Sequence, residues 1–412
     1  MRKIIYGLFV LFYSFVNAQI SSVTKEFSFK ANPLLNSINN VAFDSTGNKV
    51  VSGTNCHPAS IRIFDVANGT LLWDYEVGSA FMCIMGVSFS NNSKYLLAIE
   101  EMGNILVFDN TGTNPVLVDT IKTLTSYAFS LSVKPDNSQF VAGCSSGRIK
   151  VFNLSSGTLA HNVVAHSGYV TAVAYSPNGN YIVTGGSDDK VKIWSNTGTL
   201  LFTCNGHTAD ITSVKVTPDN QYVVSASQDK KIIVWSISTG TQVRTITGHT
   251  RSVNGIDLSP DGSKIVSASS DSTCKIWDFN TGNEILTFAV KDSGQVNTVA
   301  WSSNGDKIVT GNLKSDLVIW KVNTSSSIQN SIKNAEFDFT LFPNPSSDVI
   351  QLSLPQFILD NYQVQVTDLQ GKVVFNAQNN AVIPVHNLDS GVYYVCIRHV
   401  SKGSCTRMFV KY

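Results

Sequence analysis

Seven times between Val41 and Trp320 the chain runs the same course and closes on an aromatic residue, at Phe64, Phe108, Phe152, Trp194, Trp235, Trp277 and Trp320, in steps of 41 to 44 residues. No unit of that size buries its own apolar face, so the units must stack and share a core. Nothing else in the sequence limits the fold as strongly.

The plan inside each unit gives the architecture. In the fourth unit Val173-Ala174-Tyr175 leads to the turn Pro177-Asn178-Gly179, then Tyr181 to Thr184, a tight turn at Asp188-Asp189, and Val191 to Trp194. This pattern predicts three strands joined by hairpin turns. A further glycine-containing turn, such as Thr239-Gly240-Thr241 before Gln242 to Ile246, leads to a fourth. Seven units of four strands predict an all-β, seven-bladed β-propeller over residues 19–323. Charged residues make up only 14% of the chain and the net charge is +1, so no basic footprint for nucleic acid is present.

The ends of the ring need a partner. Residues after Trp320 are too polar for a convincing outer strand, whereas Val23 to Phe29 has strand character and no neighbour of its own. Residues 23–30 are therefore expected to close blade seven beside Leu317 to Trp320. Near the axis, where blades crowd, the inner strands carry small residues at Ala42, Ser88, Ser132, Ala174 and Ala300. Lys215 and Asp257 break this rule in neighbouring blades and are expected to pair.

Three units carry a polar set at constant spacing of 18, 4 and 6 residues: His166, Thr184, Asp188, Trp194; His207, Ser225, Asp229, Trp235; and His249, Ser267, Asp271, Trp277. With Gly206-His207, Gly248-His249 and the closing Trp277-Asp278, residues 23 to 323 resemble the WD-repeat family. The resemblance implies that each set is a structural hydrogen-bonded clasp holding the loop before a blade to its inner turns. A Ser/Thr-His-Asp trio also suggests a hydrolase triad, but a threefold repeat of the set argues for architecture. Elsewhere the Asp position holds Pro58, Met102, Ser146 or Lys314, and the first three blades close on Phe. Those blades are expected to rely on apolar packing alone. Blade one has two extra residues around Cys56-His57-Pro58, and blade two is entered through the apolar stretch Phe81 to Met85.

The first residues read differently. Arg2 and Lys3 precede an apolar run from Ile4 to Val16, and Val16-Asn17-Ala18 suits a cleavage site, so residues 1–18 are expected to be a secretory signal peptide. The run is shorter than the roughly 20 residues that span a bilayer, and no membrane span is expected after cleavage. Export makes the seven cysteines candidates for disulfides. Cys56, Cys83, Cys144, Cys204 and Cys274 read as scattered core residues, while Cys396 and Cys405 are candidates for a pair across a terminal hairpin.

Residues 324–336 are Ser- and Asn-rich, a linker composition. Residues 337–412 read as short strands with turns, a small antiparallel β-sandwich. The strands expected are Val349 to Leu354, Tyr362 to Asp368, Lys372 to Phe375, Val392 to His399 and Thr406 to Lys411. The segments Leu341 to Asp348, Val366 to Val374, Leu388 to Val395 and Met408 to Lys411 resemble, in order, the motifs of the type IX secretion C-terminal sorting domain of Bacteroidota. The resemblance implies passage through the periplasm and recognition by the outer-membrane translocon, leaving the protein secreted or at the cell surface.

The function expected is therefore a WD-repeat scaffold that binds a protein partner through loops, with Tyr169, Asp210, Arg251 and Phe81 as candidate contacts. No enzyme activity, catalytic residue, cofactor or metal is expected. Two alternatives differ in class: a carbohydrate-binding module, and a propeller hydrolase or lyase acting on glycans. For the last, the adjacent glutamates Glu100 and Glu101 would point to opposite faces of a strand.

Overall fold

A computed structural model of the protein describes residues 19–30, 37–55, 59–77, 83–122, 127–289, 294–325, 340–342, 349–354, 362–368, 373–399 and 403–411. The signal segment, Cys56 to Pro58, Phe81 and most of the linker lie outside the described residues. Every regular element among the described residues is a strand. The chain divides into two compact units, one spanning Ser22–Asn323 and the other including Thr324–Tyr412.

The larger unit contains seven four-stranded antiparallel sheets. Their inner strands are Ile38–Phe43, Ile84–Phe89, Ala128–Val133, Val170–Tyr175, Ile211–Val216, Val253–Leu258 and Val296–Trp301. Six blades take their four strands consecutively. The seventh takes Val296–Trp301, Lys307–Asn312 and Asp316–Ser325, and its outer place is filled by Gln19–Lys30 from the start of the chain. Asn323 donates to the Ser22 hydroxyl at 3.2 Å, and Lys307 forms an ion pair with Glu26.

Blade five shows how sequence becomes sheet. Tyr222–Ser227 pairs with Ile232–Ser236, setting Val223 opposite Trp235 and Ser225 opposite Ile233. Each second strand is buried on both faces along nearly its whole length, because neighbouring blades cover both sides. The turn between first and second strands has a left-handed residue in all seven blades: Gly47, Ser93, Asn137, Gly179, Asn220, Gly262 and Gly305. Glycine and Asn adopt this region most readily. The Asn220 side chain also accepts a hydrogen bond from the Asn178 amide of the preceding blade at 2.9 Å.

The cores lie between blades rather than within them. One joins Val183, Ile193 and Trp194's neighbours in blade four to Ile211, Val223 and Trp235 in blade five. Another joins Ile38, Val41 and Phe64 of blade one to Val309, Leu317 and Ile319 of blade seven, with Phe27 packed against it. A Cβ on Gly311 would stand 2.5 Å from the Ile38 side chain, so only glycine lets these two blades meet.

The smaller unit has a three-stranded sheet (Thr340–Phe342, Val349–Ser353, Val382–Pro384) and a four-stranded one (Val373–Gln378, Tyr362–Thr367, Gly391–His399, Gly403–Lys411). Ile350, Val364, Val366, Ile383, Val395 and Ile397 fill its core. The Tyr393 hydroxyl donates to the Asp389 carbonyl at 2.9 Å, fixing the corner that enters the long hairpin.

The cysteines depart from expectation. Cys396 has a free thiol, and the hairpin register sets Thr406 opposite it, with Cys405 opposite Ile397. Cys83 is disulfide-bonded, whereas Cys144, Cys204 and Cys274 are buried thiols outside any disulfide.

Candidate functional site

Each of the three spaced sets meets in space. In blade five Trp235 Nε1 donates to Ser225 Oγ at 2.8 Å, Oγ lies 2.8 Å from His207 Nε2, and His207 Nδ1 lies 2.9 Å from Asp229. Blade four gives 3.0, 2.7 and 2.7 Å through Trp194, Thr184, His166 and Asp188. Blade six gives 2.8, 2.7 and 2.8 Å through Trp277, Ser267, His249 and Asp271. An indole N–H only donates. The ionised carboxylate only accepts, so the neutral imidazole carries its proton on Nδ1, facing the Asp, and Nε2 is left to accept the hydroxyl hydrogen.

The carboxylates also fix the loops. Asp229 accepts from the Thr208 and Lys231 amides, and Asp271 accepts from those of Thr250 and Thr273. Burial lowers the pKa of His166, His207 and His249 more than their carboxylate partners raise it. For the Asp partners, burial opposes the charge, but the hydrogen bonds outweigh it and hold Asp188 and Asp229 below the usual range and Asp271 at about 2.

Both shifts give one sign with pH. A histidine whose folded pKa is depressed stabilises the fold fully above its unfolded value near 6.5 and loses that contribution as pH falls. The aspartates lose theirs only below 3.8. Thermal melts are therefore expected to fall in two stages on acidification, the first beginning near pH 6.5. A melting temperature constant from pH 7.5 to 5 would contradict the neutral state of the histidines.

Thr184, Ser225 and Ser267 are fully buried, each beneath a tryptophan. The clasps do not line the open cavity. That cavity, of about 560 Å³, runs between the inner strands of all seven blades, from Asn39 and Met85 round to Asn297 and Trp301.

Blades without the full set are not held by apolar packing alone, as the sequence had suggested. In blade seven Trp320 Nε1 donates to Thr310 Oγ1 at 3.0 Å, half of a clasp, and Asn312 and Asp316 fasten the turn. In blade two Asn104 Nδ2 donates to buried Glu100 at 2.7 Å.

The candidate contacts Tyr169, Asp210 and Arg251 stand on the loops just before the inner strands of blades four, five and six. Tyr169 is 53% exposed and its ring lies 5.6 Å from that of Phe129. Arg251 is exposed and Asp210 half-buried. Phe81 lies outside the described residues.

The channel holds a feature that sequence reading missed. The second residue of an inner strand reaches to the first carbonyl of the next blade: Asn39 to Ile84 (3.1 Å), Thr212 to Val253 (2.6 Å), Asn254 to Val296 (2.8 Å) and Asn297 to Ile38 (3.0 Å). Thr171 does the same to Ile211. Met85 and Phe129 hold the two remaining positions and have no donor. Deeper in, Lys215 and Asp257 pair at 2.9 Å, and Asp257 also accepts from the Trp301 amide.

Residues 128–344, more than half of the chain, match the family of the WDR36/Utp21 second beta-propeller domain. The chain belongs to this family of WD-repeat β-propellers. Residues 340–411 of the WD-repeat protein match the secretion system C-terminal sorting domain, a module that implies export through type IX secretion. The propeller is similar to a periodic tryptophan protein 2 homolog of Dictyostelium discoideum, 35% identical over 27% of this chain and 12% of that protein. It is also similar to human WD repeat-containing protein 3, 34% identical over 20% of this chain and 9% of that protein. A serine-threonine kinase receptor-associated protein of D. discoideum is 29% identical over 32% of this chain and 43% of its own length. The WD-repeat protein thus matches less than half the length of each of these relatives. No helix among its described residues is long and apolar enough to cross a membrane, and no group of His, Cys, Asp and Glu among them is placed to hold a metal ion.

Proposed function

We propose that the protein is an exported scaffold that holds a protein partner on the loop face of its propeller, delivered by its C-terminal domain. The observation that carries this reading is the triple clasp: three buried hydrogen-bonded chains spend their Ser, Thr and His groups on fixing loops, while Tyr169 and Arg251 stand exposed beside them. Aromatic and Arg side chains on rigid supports are frequent anchors of protein interfaces. The buried hydroxyls and the absence of clasp residues from the cavity wall support a binding role over hydrolysis.

In this reading residues 1–18 are cleaved on entry to the periplasm, residues 324–336 are a linker, and residues 337–412 address the protein to the outer-membrane translocon of a Bacteroidota cell. The disulfide at Cys83 agrees with an oxidising destination. A chain ending at Glu336 is expected to accumulate in the periplasm while the full chain reaches the surface or medium; equal secretion of both would refute the address. Affinity capture with the exported full chain is expected to recover a protein whose retention falls on Tyr169→Ala or Arg251→Ala. Recovery of a glycan alone would favour a lectin-like role.

A further inference from the structure

The three clasps differ in what the imidazole meets once it is charged. A proton on Nε2 makes that nitrogen a donor, so the hydroxyl must turn its own hydrogen to another acceptor. Ser225 and Ser267 have one in reach, the Ile233 carbonyl at 3.3 Å and the Lys275 carbonyl at 3.4 Å. Thr184 holds the same register, opposite Lys192, but among the described residues its hydroxyl bonds only His166 and Trp194. A charged His166 would set two N–H groups on one buried oxygen and leave the hydroxyl hydrogen without an acceptor.

The surrounding charges act in the same direction. Besides its partner Asp188, His166 faces two cations, Lys190 and Lys192, and Lys192 Nζ donates to the neutral Ala165 carbonyl at 2.5 Å. His207 faces Lys231, but Asp189 as well as Asp229. His249 faces Asp271 and Lys275, and Lys275 is paired with Glu284 at 2.7 Å. The loop of blade four also lacks an inner tie. Ser227 and Ser269 donate to the Ala209 and Ser252 carbonyls of the next two loops at 2.9 and 2.8 Å, whereas Gly186 stands at that position in blade four. There the Tyr169 amide donates to Ser187 Oγ at 2.8 Å, in a bond nearer the solvent.

We propose that blade four is an acid-sensitive sector: on acidification its clasp opens and loosens the loop that carries Tyr169, while blades five and six take up their protons in place. This inference rests on the scaffold reading and gives its contact a regulation, since acid then releases the partner from Tyr169. Opening returns His166 to its ordinary pKa of 6.5, so each further unit of pH below that value favours the open loop about tenfold.

The test follows the indole N–H groups of Trp194, Trp235 and Trp277, each buried in its clasp, in the full chain carrying isotopically labelled tryptophan. Their exchange with solvent is measured by NMR between pH 7.5 and 5, relative to free tryptophan at each pH. Protection of Trp194 is expected to fall about thirtyfold, and that of Trp235 and Trp277 less than about tenfold. Thr184→Ser is expected to bring Trp194 to the response of its neighbours, and Ser225→Thr to give Trp235 the response of Trp194; either variant, once folded, decides. Equal responses of the three indoles in the wild type, or an unchanged response in a folded variant, overturn the inference. In capture, a wash at pH 5 is expected to strip the partner from wild type but not from Thr184→Ser. Equal retention at both pH values overturns the regulation and leaves the scaffold reading intact. A wild type that captures nothing at pH 7.5 sinks the scaffold reading, and the indoles still decide whether the clasp opens.

Discussion

Deleting residues 19–30 is expected to melt the propeller as a whole rather than fray one blade. Those residues form the outer strand of blade seven, and their side chains reach both that blade and the seam with blade one: Glu26 pairs with Lys307, and Phe27 packs on the cluster of Ile38, Phe64 and Leu317. Each ladder bond contributes about 1 kcal/mol net. Loss of several bonds, together with the apolar cover, is comparable with the roughly 5–15 kcal/mol that stabilises a typical domain. Equilibrium denaturation of the deleted protein should show the cooperative transition displaced far to lower denaturant or absent. A midpoint within experimental scatter of wild type would show that the ring does not depend on this strand.

The second large effect is expected at the middle of a clasp. Ser225→Ala removes the oxygen between Trp235 and His207 and leaves a buried indole N–H and a buried imidazole nitrogen without partners. Unmade buried bonds cost about 1–3 kcal/mol each, so a loss of about 3 kcal/mol is expected. Asp229→Ala, which releases His207 and the Thr208 and Lys231 amides, should cost a similar amount. Because both act on one chain of bonds, the double variant should lose less than the sum. Partner capture by folded variants should persist. Additive losses, or a specific activity abolished without loss of stability, would speak for a role other than fastening.

The repeat, the turns and the blade count were legible because they recur: a period near 42 residues and a left-handed turn position occupied by Gly, Asn or Ser leave few alternatives. The clasps were legible for the same reason. Features that occur once or in mixed chemistry were not. The belt mixes Asn and Thr and is broken at Met85 and Phe129, and a polar residue at the start of a strand looks like an ordinary solvent-facing one until its distance to the next carbonyl is known. The Thr310–Trp320 half-clasp was hidden because its blade lacks the Asp that flags the others. In the smaller unit, Thr340–Phe342 and Val382–Pro384 are each three residues long, too short for alternation to register. The pairing state of Cys83 depends on which cysteines meet in space, which spacing does not reveal.

The outer strand of blade seven comes from the opposite end of the polypeptide, and this has a kinetic consequence. Contacts such as Asn297 with Ile38 and Lys307 with Glu26 join residues 259 and 281 positions apart. Such distant pairings are slow to form, and none exists until the last repeat has left the ribosome. The ring therefore cannot close before the seventh repeat has been synthesised, however early its first strand is made.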